Sequence, residues 1–385
     1  MMTPKETPIG NVLILAEYGA PKSGNFIASM LDLADALEKV GSETVFLFPD
    51  TSSELAWVRW IRQNGREVYF LPRNASRDEQ LNVLKKIIDE HRIRIAHVHF
   101  ALAERLMLEQ HRSLGVELVI HEHFDFVTNR SQLRQRLSVL KKVRDYRRSG
   151  AFCISVMEKK DRWFRLMGKN RHAFISNGLS LRRGEQDPLS PAERRAEIGL
   201  QQGEKLVLFL GWDMYRKGLD IAVKAVELYR QREPSLKIGV IGVGSEGKPT
   251  AEAERFLGER GIDPFSEAIL YMHSYEDIFA LNRAVDCYIS SSRAEAFSYG
   301  ILEAISQNTP VVVSDITGTS WCWKYTNCYT YPVNDPAACA EALEKALAAG
   351  RADSNYRSIV HDYSNEIWTK RVLDVYRRIT QAEGK

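Results

Sequence analysis

Short apolar runs alternate with longer amphipathic segments along the whole chain. The runs are of strand length, and the segments between them carry apolar residues at helical spacing, as Phe26, Met30 and Leu33 do. This alternation is typical of βα units that build a parallel sheet. Two series of strands are predicted: the first at residues 11–15, 44–48, 68–71, 94–98, 116–120 and 151–155, the second at residues 206–210, 236–241, 268–271, 286–290, 310–313 and 327–331.

The two series predict an α/β chain of two Rossmann-like parallel-sheet domains. A polar segment with Pro188 and Pro191 separates them, and Ser190 predicts the capped start of a short helix there. The expected divisions are a first domain at 1–180, a connection at 181–200, a second domain at 201–362 and a last helix at 363–385. An apolar stripe follows that helix through Trp368, Val372, Val375 and Ile379. The helix either covers the second domain or crosses back onto the first.

Composition is that of a soluble globular protein, with 44% apolar and 27% charged residues. No apolar run is long enough to span a bilayer, and residues 1–19 lack the features of a secretory signal. The five cysteines show no Cys-x-x-Cys spacing, which favours a reduced, cytoplasmic protein without structural zinc.

Positive charge is concentrated between residues 130 and 171. This stretch has fourteen Lys/Arg against three acids, a balance of +11, whereas the whole chain carries +3. Residues 131–148 predict an amphipathic helix with one apolar face, formed by Leu133, Leu137, Leu140 and Val143. Either these side chains meet the core, or the helix rests on anionic lipid. Aromatic residues suited to base stacking are sparse, so no nucleic-acid partner is expected.

A glycine-rich turn, Gly242 to Gly247, follows strand 236–241 and spells Gly-x-Gly-x-x-Gly. A dinucleotide site would need this motif on the first strand of its unit and an acid ending the next strand, which instead ends at Met272 and His273. Pro249 stands where a P-loop has a Ser or Thr for magnesium. The motif therefore predicts a turn near a ligand and neither of those two sites.

Charged side chains follow two strands of the second series. Glu295 and Glu303 stand around a turn that opens a helix after strand 286–290, and carboxylates accept hydrogen bonds from sugar or ribose hydroxyls. Arg216 and Lys217 are expected at a helix N-terminus, where two adjacent cations make sense if a phosphate bridges them. Both loops are expected to open at the same edge of the sheet.

The first domain offers a glycine-rich turn and histidines at strand ends. The segment Tyr18 to Gly24 joins the first strand to its helix, where backbone N–H groups can approach a phosphate or an acceptor. His121 and His123 flank an acid after strand 116–120, and His121 is the preferred candidate. His99, ending the preceding strand, is expected to shape the wall of the site.

These residues resemble the retaining family 4 glycosyltransferases of the GT-B fold. The resemblance rests on Lys217-Gly218, on Glu295 and Glu303 with Phe297 between them, and on Pro310-Val-Val. It extends upstream to the turn and histidines of the first domain, and covers nearly the whole chain. It implies two domains facing across a deep cleft, with a nucleotide-diphosphate sugar held mainly by the second.

The resemblance also implies a role for each candidate. Glu303 would accept hydrogen bonds from the ribose, and Glu295 and His121 would contact the donor sugar. Lys217, helped by Arg216, would neutralise the leaving diphosphate. Further donor contacts are expected from Phe297, Ser298, Gly24, Gly242, Met272 and His273.

Three positions depart from the family pattern. Trp212 stands where many members have an arginine that contacts the diphosphate, Ser298 where glycine often follows the phenylalanine, and Asn308 where glycine commonly precedes Thr-Pro. These changes leave the donor sugar open. No Asp-x-Asp occurs, and no His/Asp/Glu cluster has metal spacing, so neither a metal nor a cofactor is expected.

The expected function is retaining, metal-independent transfer of a sugar from a nucleotide-diphosphate donor to a glycan or lipid-linked glycan, as in polysaccharide biosynthesis. By the resemblance, retention implies front-face attack with the leaving phosphate accepting the acceptor's proton. Two alternatives stay open: a sugar-nucleotide epimerase or hydrolase of the same fold, and a non-catalytic sugar-nucleotide binding protein. The expected location is the cytoplasm, with peripheral contact to the inner face of the membrane through residues 130–171.

Overall fold

The computed structural model of the chain describes residues 9–123, 132–158, 163–168, 170–182, 189–351 and 355–381. These residues fold into two compact units. Of the described residues, the first unit contains those up to Ser180 and those from Asn365 onwards, whereas the second unit runs from Leu181 to Ser364. Each unit is an α/β structure on a parallel sheet, so the predicted fold class is confirmed.

The first unit has a sheet of seven parallel strands in the order β3-β2-β1-β4-β5-β6-β7. The strands are β1 (Asn11–Ala16), β2 (Thr44–Pro49), β3 (Glu67–Leu71), β4 (Ile93–His99), β5 (Glu117–Glu122), β6 (Phe152–Ser155) and β7 (His172–Phe174). The strand order reverses between β1 and β4, and open α/β sheets bind ligands beyond the carboxyl ends of strands at such a switch point. The loops after β1 and β4 therefore occupy the position where a ligand is expected.

Helices connect these strands, as the amphipathic segments predict. They are α1 (Gly24–Lys39), α2 (Ala56–Gln63), α3 (Arg77–Glu90), α4 (Glu104–Gln110) and α5 (Gln132–Ser149). The apolar positions of α1 are buried against the sheet, including Phe26, Met30 and Leu33. Strand β1 is apolar on both faces and almost fully buried, and β4 is buried except at Arg94, as is typical of the central strands of a parallel sheet covered by helices on each side.

The second unit has a sheet of six parallel strands in the order β12-β9-β8-β13-β14-β15. The strands are β8 (Lys205–Leu210), β9 (Leu236–Ile241), β12 (Ile269–Met272), β13 (Cys287–Ser290), β14 (Val311–Ser314) and β15 (Cys328–Tyr331), and a separate hairpin pairs β10 (Gly244–Ser245) with β11 (Lys248–Pro249). Its switch point lies between β8 and β13. All twelve predicted strands of the two series are confirmed, with ends shifted by at most two residues.

The helices of the second unit include the short capped helix predicted at Ser190. They are α6 (Pro191–Ile198), α7 (Met214–Lys217), α8 (Leu219–Arg230), α9 (Ala251–Gly258), α10 (Ile278–Ala284), α11 (Tyr299–Ser306), α12 (Pro336–Ala349) and α13 (Asn355–Tyr363). Ser190 accepts a hydrogen bond from the Glu193 N–H, and Glu193 bonds back to the Ser190 N–H, which forms a capping box. The motif at Gly242 is a strand followed by the β10–β11 hairpin, so neither a dinucleotide turn nor a P-loop is present there.

The last helix, α14 (Asn365–Gln381), packs on the first unit. The Tyr376 hydroxyl lies 2.7 Å from Nδ1 of His97 in β4, and the Asn365 N–H donates to the Leu179 carbonyl over 3.0 Å. The predicted apolar stripe is buried, as its residues Trp368, Val372, Val375 and Ile379 are all under 5% exposed. Of the two interpretations of this helix, the structure supports the one that returns it to the first unit.

The basic helix α5 buries one residue of its predicted apolar face and leaves two others exposed. Val139, Val143 and Tyr146 are buried, whereas Leu137 is 57% and Leu140 41% exposed. The side chain of Leu133 lies outside the described residues. Of the two interpretations of the predicted apolar face, contact with the core holds for Val143, whereas contact of Leu137 and Leu140 with anionic lipid stays a prediction. None of the described helices combines the length and apolar character needed to cross a bilayer.

Candidate functional site

The loops that follow β8 and β13 are bound to each other at the switch point of the second sheet. The Ser291 hydroxyl donates to the carbonyl oxygens of Lys217 (3.0 Å) and Gly218 (2.8 Å). Gly218 has φ +72°, and a Cβ there would collide with the Ser291 carbonyl oxygen. Only glycine allows the backbone at position 218 to lie this close to Ser291 without strain, which explains the glycine after Lys217. The expectation that the two loops lie together is met by this contact.

Glu295 and Lys217 form a buried ion pair where these loops meet. Lys217 Nζ lies 2.8 Å from Glu295 Oε2, and Arg216 Nη1 lies 3.6 Å from the same oxygen. The Ser292 hydroxyl also donates to this oxygen over 3.2 Å. Burial alone would raise the pKa of Glu295, but Lys217, Arg216 and the hydrogen bonds outweigh it and lower that pKa. A charged carboxylate therefore holds two cations in place.

A one-turn helix positions the two cations. Asp213 caps helix α7 by accepting from the Arg216 N–H over 3.1 Å, and it also accepts from Arg216 Nε over 3.1 Å. Arg216 and Lys217 thus lie in the last turn of α7, directly before α8 begins at Leu219. The sequence predicted the two cations at the N-terminus of a helix. That helix is α8, whereas the short helix α7 that contains both cations was not predicted.

Arg293, in the loop after β13, holds the loop that carries Arg216 and Lys217. This role of Arg293 was not predicted from the sequence. Its guanidinium donates to both carboxylate oxygens of Asp220, at 2.9 and 2.8 Å, and to the Tyr215 carbonyl at 2.6 Å. It also lies 4.4 Å from the centre of the Tyr215 ring. Bidentate pairing of this kind fixes geometry as well as charge. The only signal in the sequence was an arginine two residues before Glu295.

Glu303, Phe297 and Ser298 lie on or beside helix α11, after the Glu295 loop. Glu303 is 5% exposed within α11. The Ser298 hydroxyl caps α11 by accepting from the Ile301 N–H over 3.4 Å. Phe297 stacks on Trp321, with ring centres 4.5 Å apart and planes at 13°. Ser298 therefore replaces the family's glycine with a residue that suits the start of a helix.

The other candidates of the second unit lie along neighbouring strand ends. Gly242 has φ +106°, and a Cβ there would come within 3.0 Å of the Gly211 carbonyl, so the end of β9 closely approaches the end of β8. Met272 is buried at the end of β12, and His273 is exposed with its ring 4.2 Å from that of Tyr275. Because β12 is two strands from β8, Met272 and His273 lie farther along the edge than Gly242.

Trp212 is 74% exposed, shortly after β8 and before the helix that carries Arg216 and Lys217. It stands at the place of the arginine that the family pattern expects beside the diphosphate. In this chain Arg216 is the second cation next to Glu295. The other departure, Asn308, has φ +58°, a left-handed conformation that asparagine tolerates better than most residues other than glycine.

In the first unit, β4 and β5 bring together a cluster of histidines. His99 pairs in register with His121, and His121 Nδ1 lies 3.3 Å from His97 Nε2. Nitrogens of these three rings all lie within 4.8 Å of one another, a distance compatible with metal ligands. No cluster with metal spacing was predicted from the sequence, and the structure corrects this, because strand pairing brings together histidines from two separate strands. That no metal takes part in the reaction stays a prediction.

These histidines are neutral at pH 7. Burial, reinforced by neighbouring imidazoles, lowers the pKa of His97 to about 3 and holds the pKa values of His99 and His121 well below their usual range. His123 lies at the rim of the cluster, 2.9 Å from His99 Nδ1, and burial lowers its pKa to about 3. The preference for His121 over His123 as a donor contact stays a prediction.

Gly24 begins helix α1 at the switch point of the first sheet. It has φ +56°, and a Cβ there would come 2.9 Å from the Tyr18 hydroxyl, which itself donates to the Ser23 carbonyl over 2.9 Å. The Tyr18 ring packs on those of Phe26 and Trp57, at 5.0 and 5.5 Å. Gly24 therefore completes a tightly packed turn, and its contact with a ligand stays a prediction.

Residues 191–360 match the family model described as glycosyl transferases group 1. This range begins at α6 and ends within α13, and it contains Lys217, Glu295 and Glu303. An uncharacterized glycosyltransferase of Methanocaldococcus jannaschii is 25% identical over 50% of this chain and 49% of its own length. A phosphatidyl-myo-inositol mannosyltransferase of Mycolicibacterium smegmatis is 24% identical over 96% of this chain and 94% of its own length. The chain spans about half or less of the length of several curated relatives, including 49% of the archaeal protein and 30% of a D-inositol 3-phosphate glycosyltransferase of Nocardia farcinica.

The fold is shared with solved glycosyltransferase structures. The Anabaena protein HepE, solved in complex with UDP-glucose, superposes with a TM-score of 0.76 over 94% of this chain and 98% of its own, at 15% identity. At that identity the likeness concerns the fold alone, and it agrees with the two parallel-sheet units described above. The chain therefore has the GT-B fold of these structures, and its residues 191–360 match the family model of the glycosyl transferases group 1.

Proposed function

We propose that the chain is a retaining, metal-independent glycosyltransferase that moves a sugar from a nucleotide diphosphate to a glycan or lipid-linked glycan. The observation that carries this proposal is the buried Glu295–Lys217 pair with Arg216 beside it, at the switch point of the second sheet. Glycosyl transfer develops negative charge on the leaving phosphate, and cations already in place stabilise that charge without rearrangement. Two cations can fill this role without a metal.

Each side chain of the site has a distinct task in this proposal. Lys217 and Arg216 pair with the diphosphate, and Glu295 keeps them oriented and accepts from hydroxyls of the donor sugar. Glu303, presented by α11, accepts from the ribose hydroxyls. The leaving phosphate takes the acceptor's proton, so the site needs no separate base. The role of His121 toward the donor sugar is carried over from the family resemblance.

The names of similar proteins support a hexose donor. HepE was solved with UDP-glucose, and the full-length relative of Mycolicibacterium smegmatis is named as a mannosyltransferase. Nucleotides that carry hexoses are therefore the first donors to test. The exposed Trp212 in place of an arginine favours one competing candidate, a protein that binds a sugar nucleotide without turning it over.

A thermal-shift screen against nucleoside diphosphates and their sugars tests the donor assignment. A ligand at a hundred times its Kd stabilises the native state by about 2.7 kcal/mol, which raises the melting temperature measurably. We expect one nucleotide to stabilise the wild type and to have little effect on Glu303→Ala. Failure of the whole panel would contradict the proposal.

Turnover with the donor found in this way separates the remaining functions. We expect product only when an acceptor is added, and unchanged rates in the presence of EDTA. Isomerisation or hydrolysis of the donor without an acceptor would indicate the epimerase or hydrolase. Tight donor binding without turnover across glycan and lipid-linked acceptors would indicate the binding protein.

We also propose that helix α5 binds an anionic membrane surface. Leu137 and Leu140 are exposed on a helix rich in Lys and Arg, and Leu166 and Phe174 of the same unit are 54% and 41% exposed. Exposed leucines among cations suit a lipid headgroup region, where each cation near the surface contributes about 1 kcal/mol.

Liposome flotation tests the membrane proposal. We expect binding to vesicles with phosphatidylserine at low salt, weaker binding at high salt, and none to neutral vesicles. The double variant Leu137→Gln and Leu140→Gln should bind weakly, whereas Leu228→Gln, a matched leucine 41% exposed in the second unit, should bind like the wild type. Equal binding of both variants would contradict a role for α5.

A further inference from the structure

Two cysteines of the second unit lie with their sulfurs in contact. Cys322 ends a short 3-10 helix, Thr317–Cys322, and Cys328 begins β15. Their Sγ atoms are 3.5 Å apart, and the five intervening residues form a tight turn in which the Cys328 N–H donates to the Tyr325 carbonyl. Cys322 is fully buried, whereas Cys328 is partly exposed. An oxidant can therefore reach Cys328, with a second thiol directly behind it.

The same 3-10 segment supports the loop of Glu295. A Cβ on Gly318 would collide with the Glu295 carbonyl oxygen, so the two backbones touch. Trp321, next to Cys322, stacks on Phe297. The Thr319 hydroxyl donates to the Ser314 carbonyl over 2.7 Å and ties the segment to the end of β14. The segment that ends at Cys322 therefore contacts the Glu295 loop at two points, Glu295 itself and Phe297.

We propose that Cys322 and Cys328 form a reversible oxidation site, at which a peroxide converts the two thiols into a disulfide. Hydrogen peroxide first oxidises the Cys328 thiol to a sulfenic acid and is itself reduced to water. The Cys322 thiol then attacks the sulfenic sulfur, forming the S–S bond and releasing a second water. In total the two thiols lose two electrons and two protons, and peroxide becomes two waters. A small thiol reductant restores both cysteines by exchange.

Disulfide formation alters the support of the donor site. The sulfurs must approach from 3.5 Å to a bond length of about 2.05 Å, which pulls the 3-10 segment toward β15. Gly318 and Trp321 move with it, because both belong to that segment. Oxidation therefore weakens binding of the nucleotide-sugar donor. This consequence rests on the proposed function, whereas the disulfide itself does not.

A non-reducing tryptic map tests the disulfide directly, since Lys324 lies between the two cysteines. Trypsin separates peptide 294–324, with Cys322, from peptide 325–345, with Cys328 and Cys339. We expect peroxide to link these two peptides in the full-length protein and dithiothreitol to separate them. Cys322→Ser and Cys328→Ser should each abolish the link, and Cys339→Ser should keep it. A link that survives Cys328→Ser, or two unlinked and overoxidised thiols, would overturn the proposal.

Donor affinity gives the second readout. With the nucleotide found in the thermal-shift screen, we expect the oxidised wild type to bind about tenfold more weakly than the reduced protein. Cys328→Ser should bind equally in both conditions and match the reduced wild type, which also shows that the variant is folded. Equal affinity of oxidised and reduced wild type would overturn the coupling. If no nucleotide binds even the reduced protein, the proposed function fails while the peptide map still decides the disulfide.

Discussion

At the scale of single residues, Glu295 is a charged group kept in a nearly buried position by the cations beside it. Its side chain and that of Lys217 are only 10% and 18% exposed. Removing one member of such a pair leaves a buried charge without its partner, which costs about 3 kcal/mol or more. In the proposed function, the pair therefore links the stability of the second unit to the positive charge that faces the leaving phosphate.

We expect Lys217→Ala to lower kcat about 10²- to 10³-fold, because a cation that stabilises the leaving phosphate is lost. It should also lower the free energy of unfolding of the second unit by about 3 kcal/mol. Steady-state kinetics and urea unfolding measure the two effects.

Two further variants sharpen this test. The double variant Lys217→Met and Glu295→Gln should regain most of the stability but none of the activity, since no uncompensated charge remains buried. Lys370→Ala, at an exposed lysine of α14, serves as the control and should change neither quantity. Near-normal turnover of Lys217→Ala would refute the assigned site.

Ser298 is the departure from the family pattern whose effect is most easily separated from catalysis. Because its hydroxyl caps α11, Ser298→Ala should lower the free energy of unfolding by about 1 kcal/mol, whereas Ser298→Gly should cost only a few tenths. Urea unfolding of both variants checks this order. A glycine variant less stable than the alanine variant would mean that the cap does not hold the helix.

The proximity of Glu295 and Lys217 could be predicted from the sequence, because each residue follows a predicted strand of the second series. Glu295 and Lys217 carry chemistry in loops that a parallel sheet must bring to one edge. Arg293 could not be predicted, since its bidentate contact with Asp220 spans 73 residues of sequence and depends on how two loops pack. Nor does any local pattern show that Gly318 touches Glu295.

At the scale of elements, the strands were predictable because most of them are short apolar runs that lie buried within a parallel sheet. β7 has only three residues and no such run, so it was missed, as were the two-residue strands of the β10–β11 hairpin. The side of α5 that packs inward could not be predicted for a different reason. Tyr146 turns inward because its hydroxyl donates to the buried Glu122 over 2.6 Å, and Lys142 pairs with the same carboxylate. Hydrophobic periodicity cannot detect a buried polar anchor.

The histidines of β4 and β5 predict an acid-sensitive first unit. His97 and His123 have a pKa of about 3 in the native state, whereas an unfolded histidine has a pKa of about 6.5. Between these pH values the unfolded state therefore binds more protons than the native state. Stability is therefore lost as the pH falls below 6.5, by up to about 1.4 kcal/mol per pH unit for each such group. Urea unfolding of the first unit between pH 7 and pH 4 measures this slope.

A single substitution isolates this effect from that of the carboxylates. His123→Gln can keep a hydrogen bond to His99 but has no titrating ring, so its stability should fall less steeply with falling pH than that of the wild type. His361→Gln, at a histidine 87% exposed on α13, should follow the wild type. Equal slopes for His123→Gln and the wild type would show that the cluster does not carry the acid sensitivity.

At the scale of the whole molecule, the chain completes its first unit only with its last helix. The apolar stripe of α14 could be recognised in the sequence, but its destination could not, because such a stripe fits any apolar surface. Specific contacts decide it: Tyr376 meets His97, and the Trp368 side chain packs against Gly178, where an added Cβ would lie 2.6 Å from the Cβ of the tryptophan. Residues near both ends of the chain are therefore needed for one core.

Because α14 completes the core of the first unit, a substitution in this helix should affect strands that are distant in the sequence. Trp368 is 3% exposed, so Trp368→Ala should lower the free energy of unfolding of the first unit by about 3–5 kcal/mol. Hydrogen exchange should then quicken in β4, β5 and α1, far away in sequence, because opening of this core becomes less costly. Lys370→Ala on the exposed face of the same helix should leave exchange unchanged. If exchange in Trp368→Ala quickened only within residues 365–381, α14 would be a peripheral cover and the first unit would be complete without it.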